Sequence, residues 1–89
     1  MNSIESAQQY MNVAELGDSQ AQFTLALMYA NGHGGLEKDY IYAHKWATMS
    51  AMNGNEEAAM LVELLIPQMP QKAFEESKKL IRLCRANKL

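Results

Sequence analysis

Every glycine and proline of this chain falls at one of four places: Gly17, the cluster Gly32 to Gly35, Gly54, and the pair Pro67 and Pro70. The stretches between them carry apolar residues at helical spacing, and none shows the strict alternation of a half-buried strand. This punctuation predicts an all-α fold of five helices, over 4–16, 19–31, 39–53, 55–66 and 70–87. Asp18 and Asn55 are placed to cap helix N-termini by accepting from otherwise unpaired backbone amides. Gly17 and Gly54 stand where the preceding helix must turn sharply, which favours left-handed backbone.

The two turns also disclose an internal repeat. A shift of 37 positions lays Ala14-Glu15-Leu16-Gly17-Asp18-Ser19-Gln20-Ala21 over Ala51-Met52-Asn53-Gly54-Asn55-Glu56-Glu57-Ala58, so that small residue, glycine, cap and small residue coincide. The same shift carries Leu25 and Met28 onto Val62 and Leu65. A period of this length is that of stacked helix pairs, each leaving an apolar face for its neighbour to cover.

These residues resemble the Sel1-like repeat family, relatives of the tetratricopeptide repeats. The likeness runs through Ala14 to Gln22, Leu25-Ala26-Leu27-Met28-Tyr29, Gly32-His33-Gly34-Gly35-Leu36, Asp39-Tyr40, Ala43, Trp46, Ala51 and Gly54. It implies a short right-handed α-α solenoid: a full repeat over about 6–54, a partial one over 55–66, and a terminal capping helix over 70–87, within one domain spanning 1–89. It also places Tyr29 and Trp46 in the core, and implies a role as an adaptor that holds another protein. The pattern departs from the family at Ala26, where a glycine is usual, and at Glu37, where a loop proline is common.

Composition narrows the classes further. With 89 residues and 48% hydrophobic content the chain suits one small domain, and such a chain buries only about 60–65% of its unfolded surface. Cys84 is the single cysteine, which excludes an intramolecular disulfide. The stretch Met1 to Ser6 has neither the basic nor the apolar part of an export signal, and no apolar run reaches membrane-spanning length. A cytoplasmic protein is the expectation.

Reactive chemistry finds little support. His33 and His44 are the only histidines, and neither has carboxylate or thiolate neighbours at zinc-site spacing. Cys84 lies between Arg82 and Arg85 in sequence but on the apolar stripe of the last helix, the place of a packing cysteine. Gly32-His33-Gly34-Gly35 follows a helix and lacks the lysine of a phosphate loop, so it reads as a turn. No catalytic residue, metal or cofactor is expected.

Two surfaces remain as candidates. If the family's packing holds, Phe23, Thr24 and Leu27 face an inner groove, and the 37-residue shift adds Met60, Leu61 and Leu64. Apolar residues gathered at a surface tend to mark a partner site. The expected partner is another protein, and two copies of the chain could also pack through this groove. The terminal helix could instead fold over Met60, Leu61 and Leu64. The second candidate is electrostatic: residues 1–71 carry eight acids against two lysines, whereas 72–89 carry six bases against two acids. Lys78, Arg82 and Arg85 recur along one helical stripe that could meet nucleic acid or an anionic surface. The bases lack the interleaved aromatic residues of a single-strand binder, and cations late in a helix already complement its dipole. Protein binding is therefore favoured over nucleic acid or membrane.

Overall fold

Ser6 fixes where the first helix begins. Its hydroxyl accepts from the amide of Gln8 at 3.1 Å while the Gln9 side chain accepts from the amide of Ser6 at 3.3 Å, a reciprocal cap that leaves Ser6 itself extended. Helix α1 is therefore Ala7–Glu15, starting later than the periodicity suggests. The structure, a computed structural model, describes residues 6–86. The expected helical positions 4, 5 and 87 lie outside the described residues.

Four further helices follow: α2 (Ser19–Asn31), α3 (Tyr40–Met52), α4 (Glu56–Leu65) and α5 (Gln71–Ala86), with a 3₁₀ turn at Ile66–Gln68. The fold is all-α, with no strand among the described residues. Asp18 caps α2 through the amide of Ala21 at 3.0 Å, and Asn55 caps α4 through the amide of Ala58 at 2.9 Å. The two turns match bond for bond. The amide of Gly17 donates to the carbonyl of Ala14 and that of Gly54 to Ala51, both at 3.0 Å. Likewise Asp18 donates to Val13 and Asn55 to Ser50, both at 3.1 Å, with φ of 103° and 101° at the two glycines. Asp39, which the sequence places only at a helix boundary, is the cap of α3, accepting from Ile41 and Tyr42.

The glycine cluster ties the first half together. Gly32 ends α2 in left-handed backbone, with its own amide and that of His33 both donating to the carbonyl of Met28. The Gly34 carbonyl then accepts from the amide of Ala7 at 3.0 Å, docking the loop on the start of α1.

Helices α2 and α3 form the most extensive interface, and α3 also carries α4 and α5. Small side chains permit this crowding: Ala21 and Ala26 on α2, and Ala43, Ala47 and Ser50 on α3, are all buried. Leu25 and Trp46 fill the core between them. Tyr29 packs against this core from its margin, half-buried, with its ring stacked on Tyr42 and the centroids 5.3 Å apart. Side-chain polar bonds also tie the helices to one another. The Gln22 amide group donates to the carbonyl of Ala14 at 2.9 Å and its oxygen accepts from Asn53 at 3.0 Å, while the Ser50 hydroxyl reaches the carbonyl of Ser19 at 2.7 Å.

The terminal helix decides a question the sequence leaves open. It does not fold over Met60, Leu61 and Leu64, the alternative the sequence allows, but packs chiefly on α3, where Ile81 and Cys84 join the core cluster and His44 meets Ser77. Cys84 stays half-buried, against Trp46 and Met49 beside a cavity of about 130 Å³.

Candidate functional site

The apolar positions of α4 that α5 leaves uncovered face those of α2. Phe23 and Leu27 lie one helical turn apart on α2, and Met60 and Leu64 repeat that spacing on α4. With Leu61 and Glu57 they line a groove of about 290 Å³. Leu27 is 37% exposed, Met60 67% and Leu64 66%, while Phe23 and Leu61 form the half-buried floor. Large apolar side chains held this open to water in the folded chain contribute little to its stability, since most of their surface was never removed from solvent.

Five of the six residues expected in this groove are brought together. Thr24 is the exception. Its hydroxyl donates to the carbonyl of Gln20 at 3.0 Å, turning the side chain onto its own helix, and it does not line the groove. Glu57 was not anticipated. It stands in the first turn of α4, where a carboxylate complements the exposed amides of the helix start, and gives the groove one acidic edge.

The basic stripe lies beside apolar side chains of three helices. Lys78, Arg82 and Arg85 line a cleft of about 380 Å³ between α3, α4 and α5, with Met52, Val62, Ile66, Phe74 and Ile81 among its apolar walls. Lys78 lies over the Phe74 ring, 4.6 Å from its centroid, and 3.6 Å from Glu75.

His44 and Ser77 form a buried pair, Nδ1 to Oγ at 2.6 Å, with the Phe74 ring edge-on to the imidazole at 5.2 Å. Burial, assisted by Lys78, holds His44 below the ordinary histidine range, so it is neutral near pH 7. A serine beside a histidine can be a nucleophile and its base, but Ser77 is 0% exposed, so its hydroxyl is shut off from an external substrate, while His44, 3% exposed, contributes to the wall of the cleft between α3, α4 and α5. The pair joins two helices. The clue in the sequence was Ser77, a polar residue on an otherwise apolar stripe, which needs a buried partner.

Among the described residues, no three His, Cys, Asp or Glu side chains come together as a metal site would require. His33 is exposed in its loop. No model of a known protein family matches the chain, and none of the curated proteins matches it significantly.

Proposed function

We propose that the protein is a small interaction module that holds another protein in the groove between α2 and α4. The observation that carries this reading is the pair of apolar rows, Phe23 with Leu27 and Met60 with Leu64, one of them largely open to water along its whole length. Two parallel rows of such spacing suit an amphipathic helix, whose own apolar residues recur at i, i+3, i+4 and i+7. The Glu57 edge favours a partner with a basic flank. The matched turns at Gly17 and Gly54, together with the resemblance to Sel1-like repeats, support reading α2 and α4 as equivalent first helices of a short helix-pair solenoid. A cytoplasmic site of action belongs to the same reading; no described helix is long and apolar enough to cross a membrane.

What weighs against a polymer such as nucleic acid on the basic stripe is the small number of its cations and the apolar surface beside them. Lys78, Arg82 and Arg85 lie beside Met52, Val62, Ile66 and Phe74, whereas a phosphate backbone needs cations laid out along an extended track.

A photo-reactive residue placed at Met60 in the native cell tests the proposal, with one at Lys72, an exposed position on α5, as control. A discrete adduct at Met60 that is missing at Lys72 supports the groove, and an adduct of twice the chain mass makes the partner a second copy. Equal labelling at both positions, or none at Met60, rejects it.

A further inference from the structure

The cleft between α3, α4 and α5 differs from the groove in charge. At about 380 Å³ it falls within the roughly 300–1,000 Å³ of small-molecule sites, toward the lower end. Its walls come from three helices: His44, Thr48 and Met52 from α3, Val62 from α4 and its continuation Ile66, and Phe74 and Ile81 from α5. No acidic residue lines it, although the chain as a whole is negative. Glu63 is the nearest acid along α4, and it lines the adjoining cleft on the other side of Met52 and Val62.

Charge on this rim is only partly used. Lys78 has Glu75 and the Phe74 ring as partners, but among the described residues Arg82 and Arg85 form no ion pair. The Thr48 hydroxyl, shielded from water in the wall, has no hydrogen-bond partner. The cleft therefore combines an apolar floor with two arginines that have no ion-pair partner among the described residues.

We propose that this cleft binds a small single-chain carboxylate amphiphile, its hydrocarbon on Met52, Val62, Ile66 and Phe74 and its carboxylate between Arg82 and Arg85. A carboxylate offers two coplanar oxygens, which match a guanidinium fork. Lys78 and His44 also line the cleft, so the test sets a carboxylate against a phosphate on the same hydrocarbon chain. The site is separate from the α2–α4 groove, and either can fail without the other.

The test is a titration of the full chain with monomeric decanoate, followed by backbone amide shifts in nuclear magnetic resonance. Saturable shifts are expected around Thr48, Met52, Val62 and Arg82, and none around Leu27 and Met60. Decanol, which has the chain without the charge, should bind at least about tenfold more weakly, as should decanoate to the variant R82Q/R85Q. Both arginines are exposed, so the variant keeps its fold, checked by circular dichroism. Equal binding of decanol, undiminished binding to R82Q/R85Q, shifts confined to the groove, or no saturable shift each overturns the proposal. Tighter binding of decyl phosphate than of decanoate overturns the assignment of a carboxylate.

Discussion

His44 Nδ1 and Ser77 Oγ, 33 positions apart, meet at 2.6 Å and pin α5 to α3. Both side chains are buried, so neither has water to fall back on when its partner is removed. The S77A variant leaves the imidazole unpaired and should lower unfolding free energy by about 1–3 kcal/mol. Urea denaturation measures this. A loss below about 0.5 kcal/mol would show that the bond does not hold the terminal helix.

The same histidine makes stability depend on pH in a known direction. Its folded-state pKa lies below the unfolded value of about 6.5, because burial and Lys78 both oppose the charged form. Above that value both states are neutral at His44, and its contribution is fully present. As pH falls below it the unfolded chain takes up a proton that the folded chain refuses, so stability declines until the folded pKa is passed. Urea midpoints at pH 7.5 and 5.5 should therefore differ, lower at 5.5. In H44Q the difference should shrink, and an unchanged pH dependence in that variant would assign the effect elsewhere.

Gly34 and Gly35 separate backbone strain from crowding. Both have positive φ, 67° and 89°, but a Cβ at Gly34 would lie 2.8 Å from the Met28 sulfur and 3.1 Å from the amide nitrogen of Ala7, whereas one at Gly35 meets nothing within 4 Å. G35A should cost about 1 kcal/mol from backbone strain alone. G34A should cost about 1–2 kcal/mol more, since Met28 must move and the bond to Ala7 is disturbed. Thermal melts of the two variants decide it; equal losses would mean that the loop simply shifts away from α1.

Helix number and order were legible because the breakers coincide with the ends of the elements, and capping by Asp18 and Asn55 follows from residue type alone. The rows at Phe23 and Leu27, and at Met60 and Leu64, were expected from the packing that the family resemblance implies, carried from α2 to α4 by the 37-residue shift. What spacing could not reveal was which way the last helix leans. Its choice of α3 depends on Ile81 and Cys84 fitting the core cluster and on Ser77 finding His44, contacts between residues far apart in the chain. Thr24 illustrates a second limit: a threonine in a helix can satisfy its hydroxyl on the carbonyl four residues back, so helical position alone does not send it into a groove. Gln22, buried between Ala14 and Asn53, belongs with these, since nothing local tells a buried glutamine from an exposed one.

The groove is tested most directly by M60A/L64A. Both side chains are about two-thirds exposed, so the variant should keep its helical circular dichroism and its melting temperature. The affinity of the partner captured at Met60, measured by calorimetry with the purified proteins, should fall by about 2 kcal/mol or more, the scale of an interface hot spot. A folded variant that binds as tightly as the original chain would contradict the account.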